Sequence, residues 1–193
     1  AGKAVARQPL NVVENGVDID RHLGHRAFDR WEQGVNVRER DLASAFQRAV
    51  EELVDLRPDL VVVTGDVFDR PDPPPGALVT LARGIEALRD TPVVMVAGAR
   101  DTPPRSGDAG ALAALDAFAN VEAATTIPRS IAYADRSLHV QAIPHGAVLR
   151  GPQPLVEPDP RARFNVLVTT GRVARGDGPG LRVDPAGWDY VAL

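Results

Sequence analysis

Hydrophobic and polar positions in this chain follow two rhythms. In "VNVRERDLASAFQRAVEELVDLRPDL" the residues Leu42, Phe46, Val50, Leu53 and Leu56 recur at helical spacing and Pro58 forces an exit, which predicts an amphipathic helix with one buried stripe. "LVVVTGD" follows, a continuous β-branched run ending in Gly65 and Asp66, and it predicts a strand buried on both faces. The prolines of "RPDPPPGALVTLARGIEALRD" predict a loop leading into a second helix, with Leu78, Leu81, Ile85 and Leu88 inward. "TPVVMVAGARD" then predicts another buried strand. Helix, strand, helix, strand in this order predicts right-handed crossovers and a parallel sheet whose strand C-terminal ends line one crevice. Asp66 and the tetrapeptide Gly98 to Asp101 both fall on that rim.

After a short Ala-rich helix in "GDAGALAALDAFAN" the runs shorten, and "SIAYA", "SLHVQAIPH", "FNVLVTTG" and "DYVAL" predict a second sheet packed on the first. "RGPQPLVEPDPRARF" reads as a surface loop and "GRVARGDGPGLRVDPAGW" as a Gly-rich connection. The first strand is expected in "LNVVENGVDIDRHLGHR", where Glu14, Asn15 and Gly16 interrupt it. No internal repeat or linker divides the chain, so the expectation is one domain over residues 1–193.

Composition narrows the chemistry. A hydrophobic share of 44% over 193 residues suffices for a sizeable core. No apolar run reaches the roughly 20 residues of a membrane span and "AGKAVARQPL" lacks a secretory pattern, so a cytoplasmic protein is expected, with no membrane partner. The absence of cysteine excludes disulfides, zinc ribbons and thiol nucleophiles, leaving His, Asp, Glu, Asn and water as metal ligands. A formal charge of -4 argues against a globally basic nucleic-acid binder, although local arginines can still grip phosphate.

Three patterns carry candidate chemistry: Asp20-Arg21-His22, Gly65-Asp66-Val67-Phe68-Asp69 and Gly98-Ala99-Arg100-Asp101. Singly, each has an ordinary explanation: Asp66 as the cap of a turn, Asp69 as a solvent partner of Arg70. Their order changes the weight. Carboxylates that follow buried strands, preceded by glycine and joined by helical crossovers, present hard oxygen ligands to a divalent ion.

"DRHLG" matches a D-x-H-L-G motif, "RPDLVVVTGDVFDRPDPP" a strand with G-D-x-x-D, "PVVMVAGARD" a strand with G-N-H-D, and "FNVLVTTGRV" a strand ending at a histidine position. On these motifs the sequence resembles the calcineurin-like metallophosphoesterases, specifically the SbcD type of DNA-repair exonuclease subunit, from about Asp18 to Leu193. The resemblance implies a two-sheet, four-layer α-β-β-α sandwich. It also implies a two-metal site at the strand ends, usually manganese-supported, hydrolysing phosphodiesters, and an ATPase-type partner subunit. Carried over by position, Asp20 and His22 would bind the first metal, Asp66 would bridge, and Asp69 and Asp101 would support.

The departures are specific. Ala99 stands at the second metal's asparagine, Arg100 at the histidine that assists the leaving group, and Thr170 at the next metal-binding histidine. The final G-H-x-H motif is expected directly after "WDYVAL", where the sequence ends at Leu193, so a C-terminal truncation is among the expectations. The first metal keeps Asp20, His22 and Asp66, and the second only the shared Asp66. The cofactor expectation is one divalent ion, Mn2+ first, without two-metal occupancy. His139 alternates with Leu138 and Val140 and reads as structural, whereas His145 after Pro144 can approach the rim. Arg100 brings a fixed cation that repels a second ion and attracts phosphate or Asp66.

The favoured reading is a degenerate, catalytically impaired phosphoesterase domain acting through its fold and interactions, with no catalytic residue assigned and its standing as an enzyme left open. One alternative is an active metal-dependent phosphodiesterase or exonuclease using one metal or ligands from outside this chain. The other is a phosphate or nucleic-acid binding module using Arg100, Arg105, Arg161 and Arg163. Expected partners are an ATPase-type subunit or a second copy, with DNA a weaker expectation.

Overall fold

Asn36 sets the start of the longest helix. A computed structural model describes residues 22–105, 107–108, 110–149, 154–170, 181, 183–184 and 186–193. Two short antiparallel strands, β1 (Trp31–Glu32) and β2 (Val35–Asn36), precede α1 (Val37–Leu56). Gln33 and Gly34 between them both hold positive φ, 51° and 80°, the backbone of a tight hairpin turn. The Asn36 side chain accepts the backbone N–H groups of Arg38 and Glu39, two donors left without partners in the first turn of a helix. At the other end Arg57 turns left-handed, at φ 48°, before Pro58. The hydrophobic pattern anticipated the helix and its exit but not the hairpin whose second strand opens the quoted stretch.

The first sheet is parallel in the order β3 (Val61–Val63), β4 (Val93–Val96) and β5 (Val121–Ala124), with α2 (Pro75–Ala87) crossing between β3 and β4. The apolar run of β4 is continuous because both of its faces are covered. Val93 and Met95 pack toward α1 and α2, with Leu81 and Ile85 in the same cluster. Val94 and Val96 pack in the opposite cluster with Val140, Ala142, Val166 and Val168. A wholly buried strand cannot alternate with polar residues. The helices approach closely at Gly84, where a β-carbon would lie 2.5 Å from the Phe46 ring.

The second sheet runs β6 (Arg129–Tyr133), β7 (Leu138–Ile143), β8 (Phe164–Thr169) and β9 (Tyr190–Ala192) in spatial order, with only the β6–β7 pair antiparallel. Its inner face meets β4. Its outer face carries Ile143 and Leu167 beneath Leu181, Val156, Trp188 and Val148, the last from the five-residue helix α3 (His145–Leu149). The result is the expected two-sheet α/β sandwich, with long helices on the first sheet. Among the described residues the second sheet is covered by α3 and irregular segments.

Two details differ from the hydrophobic reading. The Ala-rich helix is a 3-10 helix, Ala111–Ala117, and β5 was not anticipated because "VEAA" is short and carries a glutamate. The expected first strand lies almost wholly outside the described residues. What is described there is one parallel bridge, Leu23 to Phe68, with the Leu23 N–H donating to the Val67 carbonyl at 2.9 Å. No helix among the described residues is long and apolar enough to cross a membrane.

Candidate metal centre

The ends of β3, β4, β7 and β8 converge. Gly65 leaves β3 at φ 101° and Asp66 follows at φ 50°, a left-handed conformation that costs a non-glycine residue about 1 kcal/mol or more. Such strain persists only where neighbours hold it. A β-carbon on Gly98 would lie 2.3 Å from both the backbone nitrogen and Oδ1 of Asp66, so glycine after β4 is what admits the Asp66 carboxylate. A β-carbon on Gly65 would meet the Gly98 backbone at 2.7 Å and Oγ1 of Thr170 at 3.1 Å. The His145 N–H donates to the Ala97 carbonyl at 2.9 Å, which places the start of α3 on the same rim.

Asp101 holds the two loops together. Its side chain is 3% exposed and accepts three backbone N–H groups: Phe68 at 2.9 Å, Gly98 at 3.0 Å and Val67 at 3.2 Å. Burial pushes its carboxyl above the ordinary value, against the lowering effect of these hydrogen bonds, and the nearby Asp66 adds to the rise.

Arg100 is fixed at both ends. Its backbone N–H donates to Asp66 Oδ1 at 2.9 Å and its Nη1 to Asp69 Oδ1 at 2.7 Å. The same Asp69 oxygen lies 3.1 Å from His25 Nδ1. Asp69 therefore does not pair with Arg70, as its sequence neighbourhood suggested; Arg70 grips Asp72 instead, through Nε at 2.7 Å. The Arg100–Asp69–His25 cluster escaped the sequence reading. The signal for it was a charged residue at a motif position that ordinarily carries a histidine.

The remaining candidates are placed as follows. His22 is half-buried one residue before the Leu23–Phe68 bridge, so the chain beside it runs alongside the Asp66 loop; Asp20 lies outside the described residues. His139 is buried, with Nδ1 3.0 Å from Asn165 Oδ1 and Nε2 2.8 Å from Ser130 Oγ. Asn165 Oδ1 also accepts the Asp159 N–H at 2.8 Å, so His139 Nδ1 carries the proton and Nε2 accepts from the serine hydroxyl. Both ring nitrogens are thus engaged within the second sheet, away from the rim. Arg105, Arg161 and Arg163 are exposed, and the Arg163 guanidinium lies over the Phe164 ring at 5.0 Å.

As donors for a divalent ion, the imidazole of His22 and the carboxylate of Asp66 suit a first-row cation; the third expected ligand, Asp20, lies outside the described residues. The second position is different. Ala99 offers a methyl group, Arg100 a cation and Thr170 a neutral hydroxyl, a set that does not fit a second ion. Among the described residues no three or more His, Asp or Glu side chains cluster in a metal-binding group.

The family description "Calcineurin-like phosphoesterase" matches residues 20–146. Among curated relatives the chain is similar to archaeal DNA double-strand break repair proteins named Mre11. The match to that of Methanococcus maripaludis is 30% identical over 86 residues, 44% of this chain and 22% of the relative. That to the Methanocaldococcus jannaschii protein is 29% over 104 residues, 53% of this chain and 27% of the relative. That to the Aeropyrum pernix protein is 35% over 86 residues, 44% and 20%. The matched stretch thus spans about a fifth to a quarter of the relatives' own length.

Proposed function

Since this chain belongs to the calcineurin-like phosphoesterase family, whose members use divalent metals, we propose that it is a phosphoesterase domain of the DNA-repair nuclease type with its two-cation centre reduced to one. Hydrolysis is impaired, and the domain acts through its fold and its contacts. The observation that supports this most directly is the double anchoring of Arg100 on Asp66 and Asp69, where the family motif carries a histidine.

Asp20, His22 and Asp66 would hold the remaining ion, which supplies Lewis-acid charge next to a phosphoryl oxygen when bound. The protein's own groups supply the rest. Asp101 keeps the Asp66 and Arg100 loops in one register, and Gly98 admits the Asp66 carboxylate beside the Arg100 amide. With alanine, arginine and threonine at the substituted positions, neither a second cation nor an imidazole acid stands over the leaving group. Each such loss costs a phosphoryl-transfer enzyme on the order of a thousandfold in rate. By the same reading the ligand class is the phosphodiester backbone of DNA, and the protein partner is an ATPase-type subunit or a second copy of this chain.

Manganese titration by calorimetry, run beside turnover of bis-p-nitrophenyl phosphate, tests the proposal. One equivalent of Mn2+ without turnover above background is the expected result. Manganese-dependent turnover that disappears in Asp66→Ala would overturn it. The triple replacement Ala99→Asn, Arg100→His, Thr170→His should take up more Mn2+ than the parent chain.

A further inference from the structure

Arg100 does more than block a cation. A guanidinium carries five N–H donors in a rigid plane, and here Nη1 is spent on Asp69 while the backbone of the same residue is tied to Asp66. Among the described residues Nε and Nη2 have no hydrogen-bond partner, and the side chain is 49% exposed. These two nitrogens form the side-on edge of the fork, the one that matches a pair of oxygens on a phosphate. The clamp at Nη1 removes much of the rotamer freedom that an exposed arginine would otherwise lose on binding. Asp69, the other half of the clamp, is itself only 23% exposed, and its N–H donates to the Leu23 carbonyl at 3.3 Å.

Resting on the one-cation reading above, we infer that the Arg100 guanidinium takes the place of the family's second cation and makes the centre a receptor for a phosphate oxyanion. Its free edge holds two of the oxyanion's oxygens. The carboxylates of Asp66 and Asp69 would repel a bare anion, so oxyanion binding is coupled to occupancy of the first position by a divalent ion. By linkage, phosphate and the ion each tighten the other's binding by the same factor.

The test titrates inorganic phosphate, and separately a 5′-phosphorylated oligothymidylate, into the full chain with one equivalent of Mn2+, by calorimetry. Wild type should bind the anion; Arg100→Met should weaken it about tenfold or more while still binding at least one Mn2+, at an affinity no lower than the wild type's because a repelling cation is gone, and Arg100→Lys, which keeps the charge but not the fork, should fall between. Near-UV circular dichroism of each variant verifies that the rim is intact. Arg100-dependent binding that is tighter for the oligonucleotide identifies nucleic acid as the source of the phosphate, and binding of inorganic phosphate alone identifies a free anion. Equal phosphate affinity in wild type and Arg100→Met, with one Mn2+ bound, would sink this inference alone. Two Mn2+ per wild-type chain would instead sink the one-cation reading beneath it.

Discussion

Asp101 accepts the backbone N–H of Phe68 at 2.9 Å, joining two loops that are 33 positions apart in the chain. Gly98 and Val67 donate to the same carboxylate, so the exit of β3 and the exit of β4 share one buried acceptor. Asp66 and Arg100 are both positioned through it, because Asp66 lies directly before the donors Val67 and Phe68 and Arg100 directly before the acceptor.

Asp101→Ala should therefore cost more than a typical surface change. It leaves three buried N–H groups without an acceptor, at about 1–3 kcal/mol each when no water replaces it. A loss of at least about 3 kcal/mol in urea denaturation is the expected outcome. A loss under about 1 kcal/mol would mean that the two loops are held by packing alone.

The same carboxyl makes a pH prediction. Its folded value is raised above the ordinary 3.8, chiefly by burial, so the folded state holds this proton more tightly than the unfolded chain does. The stability it contributes is complete below the unfolded value and is lost as pH rises through the folded one. Comparing wild type with Asp101→Asn in the presence of chelator cancels most other carboxylates. The wild-type advantage should shrink as pH climbs from about 4. An advantage that grows with pH would show that the three N–H donors outweigh burial.

How far this was legible in the sequence depends on the kind of signal. The run "VVMV" announced a buried parallel strand because both faces of β4 are covered. "VVV" announced a parallel strand too, but in β3 only Val61 is buried and Val62 and Val63 are half-buried, because among the described residues β3 lies at the edge of its sheet. Pro58 announced the end of α1. β5 was invisible because alanine pairs adequately beside β4 without the bulk that marks a strand, and β1 and β2 are too short to show a period. At the rim, Gly98 and Asp66 were readable as motif positions. The Asp69–Arg100 pair was not, since its members are far apart in the chain and Arg70 offered an adjacent alternative. Local proximity in sequence is a poor guide to which charges meet when a crossover helix intervenes.

Asn36 offers a test of the helix that carries much of the first core. The residue is 2% exposed, caps Arg38 and Glu39, and its amide donates to the Phe28 carbonyl at 3.2 Å. Asn36→Ala should lower stability by about 1–2 kcal/mol, and Asn36→Asp, which keeps the capping oxygen but gives up the amide donor, should lose less. Thermal melts of the two variants separate these contributions. Equal losses would assign the effect to the Phe28 contact rather than to the cap.

Gly98→Ala joins the fold to the centre most directly. The added methyl would stand 2.3 Å from the Asp66 backbone nitrogen, which no side-chain rotation can move, and 2.3 Å from its Oδ1, which the Arg100 N–H holds. The only relief is for the β4 exit to withdraw from the β3 exit, which breaks the Arg100 N–H bond to Asp66 and strains the Asp101 bonds to both loops. A stability loss of about 1–3 kcal/mol is expected from overpacking. Mn2+ affinity should fall with it, because the carboxylate that the remaining ion needs is displaced. Gly76→Ala, where a β-carbon meets nothing within 4 Å, is the control and should leave Mn2+ uptake unchanged. Calorimetric titration of both variants decides the matter: undiminished Mn2+ affinity in Gly98→Ala would show that Asp66 does not hold the ion.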